Sequence, residues 1–306
     1  MPETWIIVAA TIGVLFVVWL FLQLKTSRPD GKLARVHPYR RMMPIIMPTR
    51  NESVVYFDHQ IDARNLLAFI EENKETIGCN ISHMVVAAVA AGFHRHPRLN
   101  RFVVGQRIYD RNGVWLSFSM KRQKLDAKAK IATVKLEIPG EMSLAGLCEA
   151  VNAKISYERS DEETYLDKEL SLFLRLPHFI LSRSAKVLFW ANDHNLLPAS
   201  FIEEDGMFAS AFVANLGSLG MDPGYHHLYE WGSCPLFVMA GKITDTAVVT
   251  EDGDTEIRPM LHVRFTYDER VEDGLSAGRG LQTMTSILED PVATFGQSGE
   301  APLGGE

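Results

Sequence analysis

The chain has 306 residues, of which 46% are hydrophobic and 23% charged, and it carries a formal net charge of −7. That balance excludes a disordered chain, and the acidity argues against a nucleic-acid partner, which would need a basic face. Three cysteines in this length do not make a disulfide framework.

In chain order, the first element is an apolar block. Residues 5–24 read WIIVAATIGVLFVVWLFLQL, with no charge and one amide, Gln23. A helix of that length spans about 30 Å, the hydrocarbon thickness of a bilayer. Trp5 and Trp19 stand towards its ends, where indoles favour the interface. Only Glu3 precedes the block as a charged side chain, and no small-residue cleavage site follows it. The sequence therefore predicts a membrane anchor over 1–24 rather than a cleaved signal. Lys25, Arg28, Lys32, Arg35, Arg40 and Arg41 follow the helix and no Lys or Arg precedes it. The positive-inside rule then places the anchor in the inner (cytoplasmic) membrane, with the C-terminal bulk in the cytoplasm.

Residues 25–38 read as a basic, polar linker containing Pro29-Asp30-Gly31, and 39–292 as one large domain. Residues 293–306 end in a Gly-rich stretch expected to be disordered. Within the domain, Asp62 is placed to cap a helix through Leu66, Leu67 and Ile70, and Ser82 to cap a second, apolar nearly all round and ended by Pro97. Segments 101–109 and 114–122 read as strands joined at Asn112-Gly113, a hairpin signal. Segment 131–138 alternates as a strand, and a helix follows over 143–158. Residues 170–190 are the next most apolar stretch, interrupted by Arg175, Pro177, Arg183 and Lys186. They read as a pair of buried or interfacial helices, with the option of resting on the bilayer. Three further strands cover 208–217, 235–243 and 257–268, and a last helix runs to Pro291. The pattern is α+β with a mixed sheet.

The chain lacks a Walker phosphate loop, a dinucleotide-binding glycine fingerprint, C-x-x-C, G-x-S-x-G and H-E-x-x-H. The informative segment is Tyr267-Asp268-Glu269-Arg270-Val271-Glu272-Asp273-Gly274, between a strand and a helix ending Leu288-Glu289-x-Pro291. It resembles the D-H-R-V-x-D-G signature of the acyltransferase core subunits of 2-oxoacid dehydrogenase complexes, which share the chloramphenicol acetyltransferase-like fold. Phe212–Gly217, with Gly220 and Pro235, is similar to that family's F-T-x-S-N-L-G segment. Ala87–Asn100 is similar to its buried helix ending H-P-x-L-N, and residues 40–56 to its opening strand. The resemblance spans about 38–291.

The resemblance implies a two-layer domain assembled as a homotrimer, with sites between subunits open to coenzyme A on one side and the acyl acceptor on the other. It also implies where function sits. The signature His, which takes the acceptor's proton, is Glu269 here. The Ser that donates to the tetrahedral oxyanion is Ala214, followed by Asn215 and Gly217. Asp273 keeps the signature's Asp, expected to pair with Arg40, Arg41 or Arg50, and Arg270 and Gly274 shape the segment. A general base is worth roughly 10²–10⁴-fold and an oxyanion donor roughly 10²–10³-fold, so both departures bear on activity. A Glu needs burial to be a useful base. Ser218 offers a nearby hydroxyl.

About 15 residues between anchor and fold leave no room for a lipoyl domain, so no lipoyl attachment is expected on this chain. No metal is expected either: His226-His227 has no further partner in the sequence, and His94 and His96 close a helix. His59 is a candidate to enter the site from another subunit. Two functions follow. One is a membrane-anchored acyltransferase using a coenzyme A thioester and a small or lipid-like acceptor. The other is a catalytically degenerate trimeric scaffold or ligand-binding module of the same fold.

Overall fold

The computed structural model describes residues 2–121, 131–159 and 175–305. The first part of the expected 170–190 helix pair, 170–174, lies outside them. The described helices are α1 (Pro2–Leu24), α2 (Pro38–Ile46), α3 (Arg64–Glu72), α4 (Ile81–Arg95), α5 (Leu144–Arg159), α6 (His178–Asp193), α7 (Ala199–Glu204), α8 (Gly274–Glu289) and α9 (Pro291–Phe295). The strands are β1 (Gly31–Leu33), β2 (Val54–Asp62), β3 (Arg101–Val104), β4 (Arg107–Arg111), β5 (Trp115–Lys121), β6 (Ile131–Glu137), β7 (Ala211–Asn215), β8 (Leu236–Val249) and β9 (Thr255–Asp268).

Six strands form the main sheet in the order β2-β9-β8-β7-β5-β6, and β1-β4-β3 form a small one. β7 runs parallel to both β5 and β8, and the other pairs of the main sheet are antiparallel. The sheet is therefore mixed, as the sequence predicts. Its two faces differ because side chains alternate along a strand. Leu261, Val263, Phe265 and Tyr267 of β9, with Leu236, Val238 and Ala240 of β8, point into the main core. There they meet α4, buried from His83 to Phe93, and α8. Two glycines allow this close packing. A Cβ on Gly92 would lie 2.4 Å from Met284 Cγ, and one on Gly280 would lie 2.0 Å from Leu99 Cδ1. The second face carries Asp58, His262, Arg264, Phe237, Phe212 and Ala214. It is partly covered by the 221–235 loop, where His226 stacks on Phe237 at 4.6 Å.

Several local expectations need correction. Asn112-Gly113 does not close a hairpin. β3 and β4 pair through Gly105-Gln106, both at positive φ, and Asn112-Gly113 carries the chain from the small sheet into the main one. A two-residue turn with positive φ at both positions matches the twist of the strands it joins. The cap of α4 is Asn80, whose Oδ1 accepts from the amides of Ser82 and His83; Ser82 lies inside the helix. Asp62 precedes α3 but takes the amide of Arg64 from just outside it, with Ala63 at the cap position. The opening strand covers only Val54–Asp62, and α2 occupies much of the preceding stretch.

The expected linker and tail are also folded. Arg28 is buried and grips Asp30 at 2.8 Å, and its Nη1 donates to Asn195 Oδ1 at 3.0 Å. A buried guanidinium without that carboxylate would be strongly destabilising, and the bonds of Arg28 to Asn192 O and Asn195 Oδ1 hold 25–33 against the body. In the tail, Leu303 is buried, its amide donates to Met142 O, and the Gly304 amide donates to Gly140 O. α1 is the exception to this packing. Thr4–Leu24 is long and apolar enough to cross a membrane, and its residues 4–21 are exposed.

Candidate active site

The signature segment is a tight connection from the end of β9 into α8. Asp268 is fully buried and takes the Arg270 guanidinium in a two-pronged grip, Nη2 to Oδ2 at 2.7 Å and Nε to Oδ1 at 2.8 Å. Asp268 Oδ1 also accepts from Ser53 Oγ at 2.9 Å and from the Arg270 amide at 3.1 Å. Arg270 Nη1 reaches on to the carbonyls of Met47 and Pro48. A planar fork on a carboxylate fixes direction as well as distance, so this pair acts as a strut beneath the segment.

The segment holds four acids, and three are committed. Asp268 holds Arg270. Glu272 is buried, takes Arg101 Nη1 at 2.9 Å and accepts from the Asp273 amide at 3.3 Å. Asp273 is the N-cap of α8, accepting from the Ser276 amide at 2.9 Å. That hydrogen bond holds the Asp273 carboxyl below the usual carboxylate range. The fourth acid is Glu269. Its amide donates to Ser53 O at 3.0 Å, and its carbonyl accepts from Arg40 Nη2 at 2.8 Å. Its carboxylate is half-buried and takes no hydrogen bond or ion pair from the described residues. A fixed backbone thus presents one uncommitted carboxylate.

None of the three cations considered as partners of Asp273 forms a hydrogen bond or ion pair with it, although the charge of Arg40 helps to hold its carboxyl low. Arg40 holds the carbonyls of Glu269 and Arg270. Arg50 is buried and pins the 229–232 loop, with Nη2 to Gly232 O at 2.7 Å and to Val103 O at 3.1 Å. Arg41 is exposed. Gly274 is the first residue of α8, and a Cβ there would meet nothing within 4 Å.

Ala214 and Asn215 end β7 on opposite faces. Ala214 lies on the second face, opposite Met239. Asn215 Nδ2 donates to Ser82 Oγ at 2.9 Å, and its Oδ1 accepts the Ser218 amide. Ser218 spends its own hydroxyl on Asn215 O at 2.8 Å. Gly217 sits where β8 shifts register, and a Cβ on it would lie 2.2 Å from Gly241 O.

The sheet register separates these two halves. Ala214 is opposite Met239, which is opposite Arg264, five residues before Glu269. At about 3.4 Å per residue and about 4.8 Å per strand, Glu269 and Ala214 of one chain stand roughly 20 Å apart.

The second face holds polar groups that sequence reading missed. Asp58 accepts from Tyr225 OH at 3.0 Å and from Arg264 Nε at 3.3 Å, and it is hydrogen-bonded to His262 Nε2. These bonds pull the Asp58 carboxyl down despite the opposing effect of burial, the largest single influence on it. The signal was a period of two: 56, 58 and 60 in β2, and 262, 264 and 266 in β9, are polar or aromatic between core residues. Four other histidines have local roles. His59 packs edge-on against Phe265, and His96 shares a hydrogen bond with Thr283 Oγ1 at 2.8 Å. His226 and His227 stack on each other. The three cysteines are buried and free, with the Cys148 thiol pushed up to about 12 and Cys234 to about 11 by burial.

The family model of 2-oxoacid dehydrogenases acyltransferase (catalytic domain) matches residues 202–295. A dihydrolipoyllysine-residue succinyltransferase component of the 2-oxoglutarate dehydrogenase complex from Cupriavidus necator is 48% identical over 44 residues, 14% of this chain. The match spans only 11% of that curated relative's length. Among solved structures, a probable dihydrolipoamide acetyltransferase from Listeria monocytogenes aligns over 84% of this chain and 94% of its own, with a TM-score of 0.56 and 16% identity. A chloramphenicol acetyltransferase aligns over 85% and 98%, with a TM-score of 0.50 and 10% identity. Residues 202–295 therefore match the acyltransferase catalytic domain of the 2-oxoacid dehydrogenases, and the chain has the chloramphenicol acetyltransferase-like fold.

Proposed function

We propose that the protein is a membrane-anchored acyltransferase that moves an acyl group from a coenzyme A thioester to a small or lipid-like acceptor. The observation that carries this reading is the uncommitted carboxylate of Glu269, held on a fixed backbone at the signature's base position. Glu269 takes the proton from the acceptor's hydroxyl or thiol as that oxygen or sulfur attacks the thioester carbonyl. The tetrahedral intermediate then collapses, the carbon–sulfur bond breaks, and the coenzyme A sulfur leaves with the proton that Glu269 returns. The products are the acylated acceptor and free coenzyme A. With a hydroxyl absent at Ala214, backbone amides are left to stabilise the oxyanion.

The separation of roughly 20 Å between Glu269 and Ala214 supports a site assembled from more than one copy, since the two strand ends cannot face one substrate within one chain, and the resemblance makes that assembly a homotrimer. Exposed and apolar, α1 supports the anchor, with the domain on the cytoplasmic side of the inner membrane. A second reading, a catalytically degenerate trimeric scaffold or ligand-binding module, is favoured by Ala214 and by the Ser218 hydroxyl being spent on Asn215 O.

The test uses the detergent-solubilised full chain and a panel of acyl-CoA donors, read as free-thiol release alongside calorimetric coenzyme A binding. Turnover is expected. Binding without turnover selects the ligand-binding module, and absence of binding removes both the enzyme and the ligand-binding module and leaves the scaffold. Light scattering at the mass of a monomer would remove the trimer.

A further inference from the structure

We propose that the outward face of α6 rests on the surface of an anionic phospholipid bilayer, beside the point where α1 leaves it. This rests on the reading of α1 as an anchor. α6 turns Leu181, Leu188 and Asn192 towards the body, and its outer face carries Phe179, Arg183, Lys186, Val187 and Trp190. Phe179 and Val187 are each 61% exposed and Trp190 47%, a costly set of side chains to leave in water. The one acid of α6 is Asp193, its last residue, which takes a backbone hydrogen bond from Gly105. Apolar bodies interleaved with cations suit a headgroup layer: the rings and the valine enter the acyl boundary while Arg183 and Lys186 reach the phosphates.

The position of α6 fits as well. Its C-terminal end is fastened to the end of α1. Arg28 Nη1 donates to Asn192 O at 3.3 Å and to Asn195 Oδ1 at 3.0 Å. Asn195 Nδ2 donates to Lys25 O at 2.9 Å, and the Lys25 amide donates to Phe21 O in the last turn of α1. Where α1 emerges from lipid, the end of α6 is held within one short segment of the headgroups. A second copy is the competing cover. A two-fold pairing of this face would set Arg183 and Lys186 against their own kind with only the helix-end Asp193 to answer them among the residues of α6, whereas an anionic surface neutralises them.

The experiment places a nitroxide at Val187→Cys, and separately at Val14→Cys in α1, in the full chain reconstituted in phosphatidylcholine–phosphatidylglycerol vesicles. The native cysteines are buried. The readout is the accessibility of each label to oxygen against a water-soluble nickel chelate. Expected are a deep position for Val14 and a shallow lipid position for Val187, with a several-fold higher oxygen-to-nickel ratio than in detergent-free aqueous loops. Arg183→Glu with Lys186→Glu should return the Val187 label to an aqueous ratio. An aqueous Val187 beside a lipid-buried Val14 overturns this proposal and leaves the anchor standing. An aqueous Val14 overturns the anchor itself. Spin–spin broadening between Val187 labels without lipid exposure assigns the face to a second copy and overturns the proposal. Indifference to the charge reversal overturns the anionic surface.

Discussion

Replacing Asp268 with Asn removes the charge that answers Arg270 beneath the candidate base. The carboxylate accepts two bonds from the guanidinium, one from Ser53 Oγ and one from the Arg270 amide, all out of contact with water. Asn keeps the shape and one acceptor oxygen but leaves a buried guanidinium without a counter-charge. Losing one member of a buried pair costs about 3–5 kcal/mol. For a domain of this size that is a fall in Tm of roughly 6–20 °C, at about 2–4 °C per kcal/mol. The double substitution Asp268→Leu with Arg270→Met removes both charges and should recover at least half of the loss. Recovery is incomplete because the carbonyls of Met47 and Pro48 lose their donor. The assay is scanning calorimetry or denaturant unfolding of the detergent-solubilised full chain. A single variant within about 2 °C of wild type, or a double variant as damaged as the sum of its parts, would refute the strut argument.

Three further outcomes follow from local geometry. Asp273→Ala removes the N-cap of α8 and should cost about 1 kcal/mol, with Asn restoring most of it. Because folding holds the Asp273 carboxyl low, its contribution is present above the unfolded value of about 3.9 and is lost as pH falls through the folded value, so the Ala variant should narrow its deficit in acid. Lys135, whose Nζ donates to Ile202 O at 2.6 Å, is pushed down to about 8, chiefly by burial. The unfolded chain binds more protons between about 8 and about 10.4, so this group makes stability rise with pH across that window, and Lys135→Met should remove that rise in urea titrations. Gly217→Ala sets a methyl 2.2 Å from Gly241 O and should cost about 1–3 kcal/mol in thermal unfolding.

The elements legible in the sequence were those whose signal is local and repeated. α4 is marked by an apolar run too wide for one face, and β6 by alternation. The 267–274 segment stands out through its resemblance to the D-H-R-V-x-D-G signature, placed between a strand and a helix. What escaped was set by partners distant in the chain. Asn112-Gly113 has turn chemistry, but the twist was answered at Gly105-Gln106 instead, and nothing local separates the two. The linker looked polar because Arg28 and Asp30 look solvated until Asn192 and Asn195, more than 160 residues on, enclose them. The roles of Asp268 and Glu272 are illegible in the sequence for the same reason: their partners Ser53 and Arg101 lie in other elements. The sequence pointed to Glu269 only through its place in the signature. Its distinction in the fold is that its neighbours' carboxylates are all spent and its own is not.

The most direct measurement compares free-thiol release from an acyl-CoA by wild type and Glu269→Gln under single-turnover conditions, with Tm recorded for both. The account predicts a loss of roughly 10²–10⁴-fold, the contribution of a positioned base, with no change in Tm because this carboxylate holds nothing in place. Turnover unchanged in Glu269→Gln would contradict the assignment of Glu269 as base.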